Sequence, residues 1–392
     1  MTRRLYYEDS HTRRFGAVVM SCTEAGTGWA VELDRTAFFP EGGGQPGDTG
    51  FLDDIRVTDT REEDGRILHF TEAPISEGLA VKGEIDWDQR FRRMQNHSGE
   101  HVVSGTAHRL YGCENVGFHM NGPLVTIDFD RELTEEQLLR LEDEANQVVF
   151  EDRAVRTFFP SPEILDTLDY RSKKEIESGV RLVEVDRCDL CACCAPHVAR
   201  TGEIGLIRLL SVMRHRGGLR LTMKCGWNVL EDHRARCAAG GAVSQMLSVP
   251  QEEIAAGVER LKQELAEAKS AAAELRGRML EARAEALDPV PGSLVLFEKD
   301  LDGEDLRRLV NACLDRCGAV CAAFSGSDEE GYRYVIASRT LDLRRMAGAL
   351  NEALDGRGGG SPEMIRGTCR AGRETIETVV NGLTGPDAGE KE

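Results

Sequence analysis

The chain has 392 residues, of which 41% are apolar and 30% charged, with a formal net charge of −19. That length and apolar share supply buried cores for roughly two to four domains and exclude an intrinsically disordered chain. The charge excludes indiscriminate polyanion binding, because each neutralised phosphate adds affinity through counterion release and this surface mostly repels phosphate.

No apolar run approaches the ~20 residues of a membrane span, and the opening "MTRRLYYEDSHTRR" lacks the apolar stretch of a secretion signal. The expectation is therefore a cytoplasmic protein. There the twelve cysteines are kept reduced, and a cysteine cluster reads as a metal or catalytic site rather than a disulfide framework. A nucleic-acid partner would need a local basic face, for which Arg90, Arg92 and Arg93 in "DQRFRRMQNH" and the series Arg333, Arg339, Arg344, Arg345, Arg357, Arg366, Arg370 and Arg373 are the candidates.

In chain order, residues 1–90 hold short strands such as "GAVVMS" and "GWAVELD" between Gly, Asp and Pro turns, which predicts a small β-barrel. From "DWDQRFRRMQNHSGEHVVSGTAHRLYG" the period becomes helical, with Phe91, Met94, His97, His101, Val102 and His108 on one side and Gly112 as the stop. A strand at "LVTIDFD", a helix capped at Thr134 by the box "TEEQ", and strands near "VRTFFP" and "GVRLVEV" make residues 91–226 an α/β two-layer domain. Residues 227–288 are helical. One helix is expected over "LEDHRARCAAGGAVSQML", and a long one from Ser248 to Pro289 opens on "SVPQ", with a serine N-cap, a proline in the first turn and Gln251 completing a capping box. Ile254, Val258, Leu261, Leu265, Ala268, Ala272, Leu275, Met279, Ala282 and Ala286 form a sustained heptad along it, which predicts a partner helix and a homodimer through residues 252–287. Beyond Pro291, strand, helix and strand alternate in a small α/β domain, 289–392, that contains "GRGGGSPEM". The fold class is α+β.

"CACCAPHVARTGEIG" sets Cys191, Cys193, Cys194 and His197 within seven residues. His97 and His101 in "NHSGEH" lie four apart on a helix, so both imidazoles leave one face and can chelate one ion. Cys193 and His197 make a second chelating pair around the turn-forming Ala195 and Pro196. Together they are a mixed nitrogen and sulfur set suited to Zn²⁺ at ~2.0–2.1 Å to nitrogen and ~2.3 Å to sulfur. Cys188, Cys191 and Cys194 compete for the sulfur position, and "CDLC" could chelate by itself. A rival enzyme class reads "HSGEH" as an inverted zinc-protease motif, with Glu100 as general base and a distant carboxylate as third ligand, although a cysteine ligand has no place in that site.

"RRMQNHSGEH", "TAFFPEGGGQPGDTG" and "CCAPHVARTGEIG" together resemble the editing domain of alanyl-tRNA synthetases and its free-standing relatives, the alanyl-tRNA editing proteins. "CCAPH" keeps the family's CxxxH spacing where "CGGTH" is commoner. The long helix and the small domain ending in "GGGSPEM" resemble the C-terminal extension of the synthetases and of the longer editors. The resemblance implies an editing domain over 91–226 and a tRNA-binding domain over 289–392. The barrel begins within ~15 residues of the start, which leaves no room for a synthetase core. The expected activity is therefore hydrolysis in trans of tRNA-Ala mischarged with serine or glycine.

The resemblance also suggests residue roles. Thr36 would hydrogen-bond the serine hydroxyl, leaving alanine to strand an unpaired polar group. Gly42, Gly43 and Gly44 would let a ligand approach the backbone, and Gln45 would present an amide at the pocket edge. Arg357 and Arg366 would meet tRNA phosphates. Four protein ligands close a zinc shell, so either His97 or His101 is labile, or zinc orients the substrate and water is activated elsewhere. Glu100, which the helical wheel turns away from the His97/His101 face, is a poor base. The competing reading is a tRNA-binding module that keeps the metal for stability and has no editing activity.

Overall fold

In a computed structural model, which describes residues 2–172 and 179–383, the chain divides into two compact units, Met1–Ala242 and Val243–Glu392. The first unit begins with β1 (Arg14–Ala25), β2 (Gly28–Leu33), β3 (Gly50–Leu52), β4 (Ile55–Glu63), β5 (Arg66–Thr71) and β6 (Ala80–Ile85). They close into a barrel in the order β1-β2-β5-β4-β3-β6. Closure depends on the length of β1. Its first half pairs with β6 and its second half with β2, and a register shift between Val19 and Ser21 turns the strand from one neighbour to the other. Alternate residues point inward, so Val19, Val31, Leu33, Leu52, Val57, Val81 and Ile85 fill the interior.

The helix α1 (Trp87–Tyr111) follows directly and stops where the glycine predicts, Gly112 taking the left-handed φ of +61° and returning its N–H to His108 O at 2.8 Å. It packs on a four-stranded antiparallel sheet made of β7 (Asn115–Asn121), β8 (Leu124–Phe129), β12 (Ile207–His215) and β13 (Gly218–Cys225), in the order β12-β13-β8-β7. Beside it runs α2 (Glu135–Phe150), whose N-terminus carries the expected capping box: Gln137 N–H donates to Thr134 Oγ1 at 3.2 Å, and Thr134 N–H donates to Gln137 Oε1 at 2.9 Å. Met94, Val102, Val103 and Ala107 of α1 meet Ile127, Leu141, Leu221 and Met223 in one core. A smaller sheet of β9 (Val155–Phe158), β10 (Leu182–Val185) and β11 (Asp189–Ala192) leads into the cysteine segment.

Two helices, α3 (Trp227–Leu247) and α4 (Ile254–Glu285), stand where a helical region is expected, but the start of the long helix differs. Ser248 has φ +53° and so lacks the extended backbone that an N-cap needs; a 3₁₀ turn, Gln251–Glu253, precedes α4 instead. Of the heptad stripe, Val258, Leu261, Leu265, Leu275 and Met279 are exposed, whereas the helix buries Leu280, next to Met279, and Ala284, midway between Ala282 and Ala286, against α5 (Gly303–Cys313).

The second unit is built on a five-stranded sheet of β14 (Leu294–Glu298), β15 (Val320–Ser327), β16 (Gly331–Ser338), β17 (Gly356–Gly360) and β18 (Met364–Cys369), in the order β14-β15-β16-β18-β17. The centre of the sheet is apolar on both faces because both are covered there. Cys321, Ala323, Val335 and Ala337 face α4 and α5. The alternate residues Ala322, Phe324, Tyr334 and Ile336 face α6 (Leu343–Ala353) and α7 (Arg373–Gly382).

The basic face expected at Arg90–Arg93 is not an open surface. Arg90 is fully buried; its Nε donates to Asp48 Oδ2 at 2.7 Å, its Nη1 to Ser10 O at 3.2 Å and its Nη2 to Ala37 O at 2.6 Å. Arg93 is largely buried and donates to Gly47 O at 2.8 Å, and Arg92 pairs with Glu231 at 2.6 Å. Removing one partner of a buried, hydrogen-bonded ion pair strands the other charge. Arg90→Ala is therefore expected to destabilise the chain by about 3–5 kcal/mol, read as a lower urea midpoint; an unchanged midpoint would show that the pair does not hold helix and barrel together.

Candidate metal centre

Three stretches meet at the centre, each fixed by local geometry. The first is the loop from Phe39 to Asp48. Gly42 and Gln45 exchange two backbone hydrogen bonds of 3.0 Å across Gly43 (φ +60°) and Gly44 (φ +81°), a two-residue turn of the kind that needs left-handed backbone at both central positions. A Cβ on Gly44 would lie 2.8 Å from the Phe118 ring, so the turn has a second reason for glycine there. The second stretch is α1, which carries His97 and His101 one turn apart. The third follows β11, where Arg181 Nη1 donates to Cys193 O and Ala195 O, both at 2.9 Å, and shapes the turn between Cys193 and His197.

The four residues His97, His101, Cys193 and His197 converge, with one donor atom from each lying within 4.8 Å of all the others. Cys193 Sγ is 3.5 Å from His97 Nε2 and 3.4 Å from His197 Nε2. A tetrahedron with ~2.05 Å metal–nitrogen and ~2.3 Å metal–sulfur bonds has a nitrogen–sulfur edge of about 3.5 Å, so the donor spacing fits such an ion. Each ring is also held from behind through Nδ1, which leaves Nε2 for the centre: His97 by Gln45 Oε1, His101 by Asp189 Oδ2 and His197 by Ser98 Oγ, all at 3.0 Å. Such outer partners fix tautomer and ring orientation at metal sites.

The electrostatics agree. Burial opposes ionisation of Asp189, but the hydrogen bond from His101 and the Arg171 guanidinium, at 2.7 and 2.9 Å, hold its carboxyl below the usual range. Burial pushes the Cys193 thiol well up. In the absence of a cation this sulfur keeps its proton; a divalent ion would displace it.

The competing sulfurs fall elsewhere. Cys188 points to Val102 O and Thr106 Oγ1, each at 3.7 Å, so the "CDLC" pair does not converge on one ion. Cys194 packs against the Gly42–Gly43 turn. Cys191 joins His101 and Asp189 in a second, overlapping group of possible ligands.

Glu100 lies inside the fold, beside His101. It is buried, accepts hydrogen bonds from Ser104 at 2.7 Å and from Asn115, and brings Oε2 to 3.9 Å from His101 Nε2. Gln45 is fully buried rather than at a pocket edge, and its Nε2 has no hydrogen-bond partner among the described residues. Thr36 lies buried next to the barrel, where its Oγ1 is 2.8 Å from His69 Nε2 and accepts the Phe38 N–H at 3.1 Å. Burial lowers the His69 pKa to about 4, and its Nδ1 is 2.9 Å from Val31 O. The neutral ring therefore donates from Nδ1 and accepts the Thr36 proton at Nε2, so the Thr36 oxygen has only acceptor capacity left. Sequence reasoning missed His69, Ser98, Asp189 and Arg171, none of which carries a spacing signal.

Arg357 and Arg366 belong to the second unit, apart from this convergence. Arg333 and Arg357 both register with Thr368, and Arg366 is two residues from Thr368 on the same strand, so all three arginines share one sheet face. A cleft of about 750 Å³ opens there, lined by Arg333, Arg357, Arg370, Tyr332 and Thr368 among others.

Residues 8–89 match the family model of class II (A) tRNA synthetases, and residues 180–221, which hold Cys193 and His197, match the second additional domain of threonyl and alanyl tRNA synthetases. An alanine–tRNA ligase of Pyrococcus abyssi is 30% identical over 97% of this chain and 43% of its own length. The alanyl-tRNA editing protein AlaX-L of Pyrococcus horikoshii is 31% identical over 59% of each chain. A crystal structure of the C-Ala domain from Aquifex aeolicus alanyl-tRNA synthetase aligns over 25% of this chain and 94% of its own, at 19% identity and a TM-score of 0.21. The chain thus spans less than half the length of the ligase and somewhat over half that of the editing protein. By the sequence matches it is similar, over part of their length, to an alanyl-tRNA editing protein and to alanine–tRNA ligases.

Proposed function

We propose that the chain is a zinc-dependent aminoacyl-tRNA hydrolase of the cytoplasm that edits in trans, removing serine, and glycine as a second substrate, from mischarged tRNA-Ala. The observation that carries this reading is the convergence of three imidazoles and one thiol, each ring oriented from behind, in a chain related to an alanyl-tRNA editing protein. His97, His101, Cys193 and His197 would hold the ion. When bound, zinc supplies Lewis-acid polarisation of an ester carbonyl and acidification of a water.

The chain's own groups supply recognition. Gln45 spends its oxygen on His97 and retains a buried amide N–H₂ without a partner, a donor for a substrate oxygen. Gly42, Gly43 and Gly44 present bare backbone to a ligand beside Cys194 and Phe118, whose side chains pack on the turn. Thr36, its proton committed to His69, accepts a hydrogen bond from the serine hydroxyl, which alanine cannot offer. A hydroxyl or methyl difference is worth only a few kcal/mol in an apolar pocket, so a synthetase that selects alanine benefits from a second site that reads the hydroxyl directly. Arg357 and Arg366, with Arg333 beside them, hold tRNA phosphates in the 289–392 domain. The exposed stripe Val258, Leu261, Leu265, Leu275 and Met279 is covered by a second copy of the chain through the 252–287 helix.

Three measurements test this. Purified protein incubated with Ser-, Gly- and Ala-tRNA-Ala is expected to hydrolyse the seryl ester and spare the alanyl one, and Cys193→Ala is expected to lose both bound zinc, by elemental analysis, and that activity. tRNA binding without deacylation would leave a binding module, and peptide cleavage surviving Cys193→Ala would favour a protease. Arg357→Ala and Arg366→Ala should each weaken tRNA binding and lower the slope of log affinity against log salt by about one; an unchanged slope would remove them from the interface. Light scattering should give a dimer that Leu261→Glu with Leu265→Glu converts to a monomer, and a monomeric parent chain would refute the helix seam.

A further inference from the structure

A cleft of about 290 Å³ opens in the first unit, lined by Pro46, Gln89, Arg92, Arg93, Met120 and Asn228 among others. It adjoins the metal centre, because three elements that build the centre reach the cleft one step further along. On α1, Arg93 stands one turn, about 5.4 Å, before His97 and on the same side of the helix. In the loop, Pro46 follows Gln45, whose Oε1 is 3.0 Å from His97 Nδ1. On β7, Met120 is two residues past Phe118, on the same face and about 6.8 Å along the strand, and the Phe118 ring stacks on His97 with centroids 4.6 Å apart. Met120 N–H donates to Gly44 O at 3.2 Å, which ties strand and loop together where the two sites meet. Steps of this size are within the reach of a single nucleotide.

The cleft is cationic, with the guanidinium groups of Arg92 and Arg93 against the one carboxylate of Glu231. Only 14% of the Arg93 side chain is exposed. Its Nη1 donates to Gly47 O at 2.8 Å and stands 3.5 Å from Asp48 Oδ1, on a carboxylate that Arg90 already occupies. The other Arg93 N–H groups have no hydrogen-bond partner among the described residues, so a largely buried cation keeps donors for the cleft that it lines. Burial, with a lesser push from the Arg90 charge, holds this guanidinium below its usual range in spite of Asp48, and a further anion would relieve it. Arg92 is held more loosely. Its Nη1 donates to Asn228 Oδ1 at 3.0 Å and its Nη2 to Glu231 at 2.6 Å, and the Glu231 side chain is 54% exposed. Pairs this exposed are weak, so an entering anion can take the Arg92 donors from Glu231.

We propose that this cleft binds the phosphate of the nucleotide that carries the ester, with Arg93 as the fixed donor and Arg92 as a second donor released from Glu231. That the nucleotide is the aminoacylated one rests on the hydrolase reading above; the anion site itself does not. Held at its phosphate, the nucleotide presents the ester to the neighbouring centre, so binding energy from a group that does not react is used for positioning.

The test uses the full-length chain and two probes, adenosine and adenosine 5′-monophosphate, compared by calorimetry. The monophosphate is expected to bind at least about tenfold tighter, with an advantage that shrinks as salt rises. Arg93→Gln should remove the advantage. Glu231→Gln, which frees Arg92, should enlarge it by about threefold, and Arg92→Gln should reduce it; a merely structural cluster would not give opposite signs on one face. Should Arg93→Gln not fold, the two exposed positions still decide. Equal affinity for the two probes overturns the proposal, as does an advantage that survives Arg93→Gln or that Arg357→Ala removes instead. Preference for the monophosphate without ester hydrolysis would keep this site and refute the hydrolase, whereas hydrolysis with equal probe affinities would keep the hydrolase and refute this site.

Discussion

The buried ion pair between Arg90 and Asp48 governs how the first unit is assembled. Both groups are out of water, and Asp48 Oδ2 also accepts the Phe39 N–H at 2.7 Å. Desolvating two charges costs several kcal/mol per ion, recovered only when the geometry is good and the remaining donors are used. Arg90 uses them on Ser10 O and Ala37 O. The pair thereby clamps the loop that carries Gln45 against the first turn of the helix that carries His97. Arg90, Met94, His97 and His101 follow one another at steps of four, three and four, so fixing the rotation of α1 at Arg90 also fixes which way the imidazoles face.

That rotation would count for little if the rings could spin. An imidazole has two nitrogens and two easily exchanged tautomers, and a ligand set works only when the same nitrogen of each ring faces inward. Here an amide oxygen, a carboxylate and a hydroxyl, drawn from a loop, a strand and the helix itself, occupy the three Nδ1 positions. Asp189 is kept ionised by Arg171, so the carboxylate behind His101 does not import an unbalanced charge into the core. At Cys193 burial dominates, and the hydrogen bond from the Ala195 N–H and the Arg181 charge do not offset it, so the thiol is held above its ordinary range.

What the sequence discloses here follows from the range of each signal. His97 with His101 and Cys193 with His197 are pairs four residues apart, and chelation at that spacing is a local property. Gly112 and the Thr134 capping box are local as well. The contacts that orient the rings span 52, 88 and 99 residues and leave no periodic trace. Arg90 was misjudged for a different reason. A helical wheel assigns the side opposite an apolar stripe to solvent, but every residue of α1 from Met94 to Ala107 is buried, between barrel, sheet and cysteine segment. A helix enclosed on all sides has no solvent face, and its polar residues are then network members. The long helix is the converse case. Its heptad is plain in the sequence, yet within one chain it is Leu280 and Ala284 that pack, while Val258, Leu261, Leu265, Leu275 and Met279 stay exposed.

The charge distribution reconciles a net charge of −19 with the proposed polyanionic partner. Many arginines are already neutralised within the fold. Arg56 is paired with Asp86, Arg66 with Glu32, Arg171 with Asp189, Arg220 with Asp128 and Arg276 with Asp305. Each such pair presents little field to a distant ligand. Arg333, Arg357, Arg366 and Arg370 form no ion pair among the described residues, and three of them line one cleft. Screening limits the reach of the remaining acidic surface to about 8–10 Å at physiological salt, so an approaching phosphate responds to the side chains within that radius and not to the sum over the chain. Four guanidinium groups without an ion pair among the described residues, on three adjacent strands and the residue after one of them, can therefore define a local positive site on an acidic protein. The acidity elsewhere then works in favour of selectivity, because a polyanion that misses this face is repelled rather than retained.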